Sequence, residues 1–387
     1  MSNLFKSFRN LFEPIRPIAP GIYHFQAPPK DPRNYRLHLR VEPDGQGVMI
    51  VNAATILHLN QTAVEYGYYL VNNWPIDRII DAIVSRYRVN RVQAQKDYQD
   101  FVDRIDILVS KPGLDPVTFL DFELQAPHSG EISAPYRLDC ALTYRLPPEA
   151  NPALAPTKRV SRELTTEEWI TILDKAWQVG IPHIVFTGGE PTLREDLSQL
   201  ITHAETNGQV SGLLTNGSSL IDQSYLNSLL LTGLDHVLIV WDYGRANNWE
   251  ILENLAKVDL FTAVHLTLYE ENQTQILPII KRLAEMKINA LSLSTLSTKL
   301  IPQLQKARDY TADLHLPLIW DLPVPYSRQN PITLELVDHQ MTQGAGRAWL
   351  YVEPDGDVLP AQGINKILGN LVSDSWEKIW LAAEKSA

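Results

Sequence analysis

The stretch from Ile184 to Pro191 reads IVFTGGEP and decides the fold, because an apolar run ends abruptly in two glycines and a carboxylate. A short run of apolar and β-branched residues is typical of a buried strand in a parallel sheet. Two glycines at the end of such a strand let a ligand approach the main chain closely. A plain turn from strand to helix is the alternative for a glycine pair by itself.

Apolar runs and amphipathic segments alternate on both sides of this stretch. The predicted strands are Tyr136–Leu142, His183–Thr187, Gly212–Thr215, Val237–Trp241, Thr262–Leu268 and Ala290–Ser294. The predicted helices begin near Thr166, Leu193, Ile221, Asn248, Gln273 and Pro302, the first of them behind a capping box from Thr165 to Glu168. Strand-then-helix units in this order imply an α/β fold with a parallel sheet, whose ligands sit at the carboxyl ends of the strands.

A proline-rich loop follows the first predicted strand. Leu142–Ala153 reads LTYRLPPEANPA, and with cysteine in place of Leu146, Ala150 and Ala153 it would read CxxxCxxC. Together with the downstream GGEP and the sequence TNG after the next strand, this loop resembles the radical S-adenosylmethionine (radical SAM) enzymes. The resemblance implies a partial (β/α)6 barrel of the TIM type over residues 135–325.

The resemblance also implies a cofactor site. In that family three cysteines hold three irons of a [4Fe–4S] cluster, and the fourth iron binds SAM. The SAM-binding positions that carry over are Gly188, Gly189, Glu190, Pro191, Thr215, Asn216, Gly217 and Asp242. Leu and Ala side chains offer no donor atom. We therefore expect a vestigial site with no catalytic residue, no metal, no [4Fe–4S] cluster, and SAM binding that is weak if it occurs.

Two single residues near these strand ends leave alternatives open. The family often has Ser-x-Asp after the fourth strand, whereas this chain reads Val240, Trp241, Asp242. Asp242 either bonds a ribose or a substrate, or caps the following turn. The single cysteine, Cys140, excludes an internal disulfide and a multi-cysteine metal site within one chain. We expect a buried strand thiol, with a role as cluster ligand or nucleophile as the alternative.

The carboxyl-terminal part carries a second resemblance. Leu350–Gly363 reads LYVEPDGDVLPAQG and is followed by Gly369, Asn370 and later by Ile379, Trp380. This is similar to the SPASM-type extension of peptide-modifying radical SAM enzymes, which we expect over residues 326–387. The residue after the proline is an auxiliary-cluster cysteine in those enzymes, and here it is Ala361.

Residues 20–110 form a separate unit in the sequence. Val48–Leu59 reads as two short strands, and three helical segments with apolar residues at helical spacing follow. The order resembles the PqqD-like domains, which are winged-helix α+β recognition elements for the leader peptides of ribosomally made, modified peptides. A DNA-binding winged helix is the alternative, but six aspartates surround its arginines, and carboxylates repel phosphate.

The remaining segments are predicted to connect or precede these units. Residues 111–134 read as a linker, with a candidate strand at Val117–Leu124. In the segment 1–19, Leu4–Phe12 is basic and amphipathic, which suits either a membrane surface or docking on the protein itself. Neither a bilayer-spanning apolar segment nor a signal peptide is visible, so we expect a cytoplasmic protein without a transmembrane segment.

The net charge and the absence of cysteine from the loop Leu142–Ala153 leave two classes of function. The chain has 45 acidic against 34 basic residues, which disfavours nucleic acid as a partner. We expect a non-catalytic peptide-binding or scaffold partner in the maturation of a ribosomally made peptide or peptide-derived cofactor, with an active radical SAM enzyme as a further partner. The alternative is a radical SAM-family peptide-modifying enzyme with a repurposed SAM pocket, or with cluster ligands supplied in another way.

Overall fold

A computed structural model describes residues 17–28, 30–110, 132–336 and 342–386 of the chain. The chain divides into two compact units, Met1–Ile132 and Ser133–Ala387. The amphipathic segment Leu4–Phe12 and the candidate strand Val117–Leu124 lie outside the described residues. Within the described residues, no helix is both long and apolar enough to cross a bilayer.

The amino-terminal unit is an antiparallel sheet with three helices. Its strands pair in chain order and are β1 (Gly21–Gln26), β2 (Arg36–Val41), β3 (Gly47–Val51) and β4 (Thr55–Leu59). Its helices are α1 (Gln61–Val71), α2 (Ile76–Arg86) and α3 (Arg91–Ser110). Among the described residues β4 pairs with β3 alone and is therefore one edge of the sheet.

The core of this unit forms where α1 and α3 cover one face of the sheet. Alternate strand residues such as Leu39, Met49 and Leu57 are buried there, because successive side chains of a strand point to opposite faces. Gly67 of α1 permits close packing, since a Cβ atom there would lie 2.7 Å from the Cε of Met49. The two strands predicted in Val48–Leu59 and the three helices are present.

The second unit contains a nine-stranded sheet in the order β10-β9-β8-β7-β6-β5-β11-β12-β13. Its first six strands in the chain are parallel, and are β5 (Arg137–Thr143), β6 (His183–Gly188), β7 (Val210–Thr215), β8 (His236–Val240), β9 (Phe261–Leu268) and β10 (Ala290–Thr295). The mixed α/β class is confirmed, while the partial barrel stays a prediction. Cys140 is fully buried on β5, as expected.

Helices connect these parallel strands, and one more helix follows the last strand. They are α4 (Thr166–Gln178), α5 (Leu197–Asn207), α6 (Gln223–Leu230), α7 (Asn248–Leu255), α8 (Gln273–Glu285) and α9 (Ile301–Asp313). The capping box of Thr165 and Glu168 is formed. The predicted start near Leu193 is wrong for α5, because Pro191–Leu193 form a 3-10 turn that the Glu190 side chain caps.

The carboxyl-terminal segment extends the same sheet. Strand β11 (Trp349–Val352) lies parallel to β5, and β12 (Asp357–Leu359) and β13 (Gly369–Asn370) continue antiparallel before α10 (Trp376–Glu384). The segment therefore lies on the side of β5 away from β6. Its assignment as a SPASM-like extension stays a prediction.

Candidate functional site

Glu190 joins the ends of β6 and β7 through its carboxylate. Its Oε1 accepts hydrogen bonds from the Oγ1 of Thr215 at 2.7 Å, and from the Oγ1 and backbone N–H of Thr192 at 2.6 and 3.1 Å. Its Oε2 accepts from the backbone N–H of Asn216 at 2.9 Å, and the residue is 3% exposed. The predicted site residues Glu190, Thr215 and Asn216 thus lie together, with the carboxylate already bonded to the protein.

Gly188 and Gly189 precede Glu190, and the end of β5 leaves no room for a Cβ atom at either position. A Cβ atom on Gly188, whose φ is +122°, would lie 2.3 Å from the carbonyl oxygen of Thr143. A Cβ atom on Gly189 would lie 2.3 Å from the carbonyl oxygen of Arg145. The backbone N–H of Gly189 also donates to Thr143 O at 2.7 Å. Substitutions at Gly189 therefore change the packing of two strand ends, whatever ligand the site holds.

The TNG sequence folds into a tight turn beside Glu190. Gly217 has a φ of +79°, and its N–H donates to the Oγ1 of Thr215 at 3.0 Å. The Oδ1 of Asn216 accepts from the N–H of Ser218 at 2.7 Å, and its carbonyl oxygen accepts from the guanidinium of Arg245. These local bonds are typical of an Asx turn, which fixes the backbone beyond β7.

Asp242 lies just beyond β8 and caps the turn that follows it. Its Oδ1 accepts from the N–H of Gly244 at 3.0 Å and from the Nε2 of Gln329 at 3.2 Å. Its carbonyl oxygen accepts from the Nδ2 of Asn248 at 2.6 Å. The turn-capping alternative for Asp242 is thus formed, and a role toward a ligand stays a prediction.

A strap, defined as residues 323–329, bonds to these strand ends and was missed by the sequence analysis. The Oγ1 of Thr187 donates to Pro323 O at 2.6 Å, and the N–H of Tyr326 donates to Gly188 O at 2.7 Å. Gln329 reaches Asp242 as described above. The segment shows neither helical nor strand periodicity, so no sequence signal indicated that it engages two of the predicted site residues.

In the loop Leu142–Ala153, Leu146 is the first of the three positions where the family has cysteine, and it packs against aromatic side chains. Leu146 is half-buried against a cluster that contains Tyr144 and Tyr326, whereas Ala150 is half-buried and Ala153 exposed. None of the three side chains carries a donor atom for iron. Among the described residues, no group of three or more His, Cys, Asp or Glu side chains is arranged to hold a metal ion.

A buried network of tyrosines and charged groups links this loop to the carboxyl-terminal segment. The hydroxyl of Tyr144 donates to Glu353 Oε1 at 2.9 Å, and Arg159 donates to the same oxygen at 3.1 Å. Arg159 and Tyr326 also bond the carboxylate of Glu335. Burial raises the pKa of Glu353, although the bonds from Tyr144 and Arg159 oppose that shift.

Ala361, the predicted auxiliary-cluster position, lies beside this network. It is 8% exposed and lines a cavity of about 210 Å³. Tyr326 and Glu335 line the same cavity. The structure thus brings Ala361 close to groups from the strap and the carboxyl-terminal segment, which the sequence did not predict.

A hydroxyl-lined histidine lies between β9 and β10. The Nδ1 of His265 is 3.0 Å from the Oγ of Ser292, and its Nε2 is 3.1 Å from the Oγ1 of Thr267 and 3.0 Å from the Oγ of Ser294. Burial lowers the pKa of His265 to about 4, so the ring is neutral at physiological pH. Alternation of His and Thr along β9 was the available sequence signal.

The amino-terminal unit has its own groove, between the edge strand β4 and helix α3. The cavity measures about 380 Å³ and is lined by His58, Leu59, Asn60, Thr62, Ala63, Tyr66, Asp97, Asp100, Phe101 and Arg104. An edge strand carries backbone N–H and C=O groups that no neighbouring strand uses. The groove therefore has the geometry to receive an extended chain.

No protein-family model matches the chain, whereas individual proteins match it in sequence. A PqqA peptide cyclase of Granulibacter bethesdensis is 33% identical over 127 residues, which cover 32% of this chain and 34% of that protein. A PqqA peptide cyclase of Bradyrhizobium diazoefficiens is 26% identical over 256 residues, or 59% of this chain and 67% of that protein. The first alignment thus spans about a third of that relative.

Solved structures share the fold over most of the chain. Streptococcus suis SuiB bound to the precursor peptide SuiA superimposes with a TM-score of 0.58 at 14% identity, covering 92% of this chain and 88% of that one. SuiB bound to S-adenosylmethionine gives 0.57 at 15% identity, with the same coverage. The chain is thus similar in sequence to parts of PqqA peptide cyclases, and it shares the fold of SuiB.

The comparisons correct our prediction about cofactors. We expected no cofactor, no [4Fe–4S] cluster, and SAM binding that is weak if it occurs. This is wrong, because SuiB, whose fold the chain shares, is solved with SAM bound. The prediction was drawn from the side chains of Leu146, Ala150 and Ala153, which offer no donor atom for iron and so leave SAM without its anchor on the cluster. Glycine-rich strand ends let a ligand reach the main chain whatever those side chains are, and no finding demonstrates loss of a cluster.

Proposed function

We propose that the chain is a non-catalytic peptide-binding partner in the maturation of a ribosomally made peptide or peptide-derived cofactor. In this proposal residues 20–110 are a PqqD-like recognition domain that holds a leader or precursor peptide. A linker at 111–134 precedes a radical SAM-like partial barrel over 135–325 and a SPASM-like extension over 326–387. The barrel and extension contact an active peptide-modifying enzyme.

The observation that carries the proposal is the open edge of β4 beside the groove. An extended peptide that adds to this edge gains main-chain hydrogen bonds, and its alternate side chains enter the space between β4 and α3. The groove volume of about 380 Å³ accommodates several such side chains. SuiB, whose fold the chain shares, has been solved with its precursor peptide, which supports this reading.

The non-catalytic part of the proposal is supported by how the strand-end groups are used. The carboxylate of Glu190 accepts hydrogen bonds from Thr192, Thr215 and Asn216. The carboxylate of Asp242 accepts from Gly244 and Gln329. These bonds use both oxygens of Glu190 and one oxygen of Asp242, which supports a structural role for the two carboxylates.

Calorimetry with the full-length chain tests the proposal. The probes are synthetic peptides that span the short reading frames beside its gene. We expect one of them to bind, and Ala63→Trp, which fills the groove, to abolish the binding. Gln95→Trp, on an exposed position of α3 that does not line the groove, serves as the control and should bind normally. Absence of binding by every peptide would contradict the proposal.

A second candidate is favoured by the SAM-bound structure of SuiB. Here the chain is a peptide-modifying enzyme that holds SAM at Gly188–Pro191, Thr215–Gly217 and Asp242. SAM supplies the reactive group when bound. Two measurements distinguish the candidates. Equilibrium dialysis with labelled SAM measures cofactor binding, and mass spectrometry detects any change in the peptide after incubation with SAM and reductant. A SAM-dependent change in peptide mass would establish the enzyme and refute the non-catalytic partner.

A further inference from the structure

The groove between β4 and α3 has walls of different chemistry. One wall is the edge strand with His58 and Leu59, followed by Asn60, whose side chain caps α1 by accepting from the N–H of Ala63 at 3.0 Å. The other wall is α3. The edge strand offers main-chain bonding that is independent of peptide sequence, so selectivity must come from the side chains on the helical wall.

The helical wall is acidic along the first half of α3. Asp97, Asp100 and Arg104 line the cavity, so its aspartates outnumber its one arginine. Asp97 accepts from the neutral amide of Gln93 at 2.5 Å, and no cation forms an ion pair with it among the residues that the structure describes. Within the described ranges no ion pair involves Asp100. A cationic side chain placed here is therefore attracted to two carboxylates.

An apolar platform lies next to the two carboxylates. Tyr66 packs edge-to-face on Tyr98 and Phe101, with ring centroids 5.9 and 5.8 Å apart, so its ring is held in place. Burial, and then the charge of Asp97, raise the pKa of Tyr66, which indicates that this carboxylate is close to the platform. Ala63, which has a small side chain, lines the same cavity.

The spacing of side chains along an extended peptide lets one peptide contact both the apolar platform and the two carboxylates. Side chains at positions i and i+2 of an extended peptide point to the same side, about 7 Å apart. A peptide paired with β4 can thus seat an apolar side chain over Tyr66 while the side chain two residues away reaches Asp97 and Asp100. The same carboxylates repel a phosphate backbone, which disfavours nucleic acid in this groove.

We propose that the groove selects an extended peptide segment in which an apolar residue and a lysine or arginine stand two positions apart, the cation facing Asp97 and Asp100. This inference rests on the peptide-binding function proposed above and names the class of its ligand.

A positional-scanning library tests the inference. Immobilised full-length protein is incubated with acetylated nonapeptides, and the captured peptides are sequenced by mass spectrometry. We expect lysine and arginine to be enriched about fivefold over glutamate at one position, the size that a single partly exposed ion pair allows. Leucine, isoleucine or phenylalanine should be enriched two positions away.

Matched variants identify the source of the preference. Asp97→Asn and Asp100→Asn should each reduce the enrichment, and Asp100→Lys should reverse it toward glutamate. Asp103→Asn makes the same charge change on the same helix outside the groove lining, and should preserve it. Circular dichroism of each variant confirms folding before the library is applied.

The outcomes distinguish this inference from the function on which it rests. Peptides captured through the groove with no charge preference, or with a preference that Asp100→Lys leaves unchanged, overturn the inference and leave the peptide-binding proposal standing. Failure of the wild-type chain to capture any peptide overturns both. Enrichment that disappears in Asp97→Asn and Asp100→Asn and persists in Asp103→Asn establishes the acidic wall as the selective element.

Discussion

The groove of the amino-terminal unit and the strand ends of the second unit use their polar groups in opposite ways. At the strand ends, the carboxylates of Glu190 and Asp242 accept hydrogen bonds from hydroxyls, amides and the strap, and these bonds hold the strand-end loops in place. In the groove, the edge of β4 and the carboxylate of Asp100 face the cavity without such bonds among the described residues. The difference indicates that strand-end substitutions will affect stability, whereas groove substitutions will affect binding.

The largest expected loss of unfolding free energy is that of Gly189→Ala. In Gly189→Ala the new Cβ atom would lie 2.3 Å from a backbone oxygen, which cannot move as a flexible side chain can. We expect the free energy of unfolding to fall by about 3 kcal/mol or more, because the strand ends must separate. Urea denaturation followed by circular dichroism measures this change.

Gly244→Ala is the matched control for that experiment. Its Cβ atom would meet only the Oδ1 of Asp242, at an ordinary contact distance of 3.5 Å. Its unfolding free energy should stay within about 0.5 kcal/mol of wild type. Equal stability of the two alanine variants would show that the close approach at Gly189 does not constrain the strand ends.

Glu190→Gln should have the next largest effect. The substituted amide has one acceptor oxygen where the carboxylate has two, so some of the donors from Thr192, Thr215 and Asn216 lose their partner. Bonds to a charged group contribute about 1.5–3 kcal/mol each, and we expect a loss of about 2–3 kcal/mol in denaturant unfolding. Glu195→Gln, on the exposed neighbouring loop, should leave the midpoint unchanged.

Acid should destabilise the second unit partly through His265. Its pKa is lowered to about 4 from 6.5 by burial, so between these values the unfolded chain binds the proton more readily than the folded chain. The free energy of unfolding must then fall as the pH is lowered through this window, by about 1.4 kcal/mol per pH unit for this residue. His265→Gln should flatten the slope by that amount, and an unchanged slope would contradict the assignment.

The smallest expected change in unfolding free energy is in the groove of the amino-terminal unit. Asp100→Asn removes an exposed charge in the groove, and the unfolding free energy should change by no more than about 0.5 kcal/mol. Thermal unfolding monitored by fluorescence tests this directly. A loss comparable with that of Glu190→Gln would mean that Asp100 holds the fold together, and the contrast between the two regions would disappear.

Much of the fold followed from the sequence, because each element is encoded locally. The strands from β5 to β10 lie within one or two residues of the predicted runs, and α4 begins at its capping box. The error at α5 arose where a side chain from outside the helix, Glu190, stabilised a 3-10 turn before it. The cofactor prediction failed because it depended on three side chains of one loop, Leu146, Ala150 and Ala153, whereas the comparison with SuiB concerns the fold as a whole.

The sequence by itself determined the alternation of strands and helices, the tight turns at the glycines and the acidic character of α3, since all of these depend on neighbouring residues. Only the tertiary structure decided how the polar groups are used. Tyr144 and Glu353 are 209 positions apart and Asp242 and Gln329 are 87 apart, yet each pair shares a hydrogen bond. Such pairs form because packing of the sheet brings distant segments together, and buried polar groups must find partners wherever the packing places them.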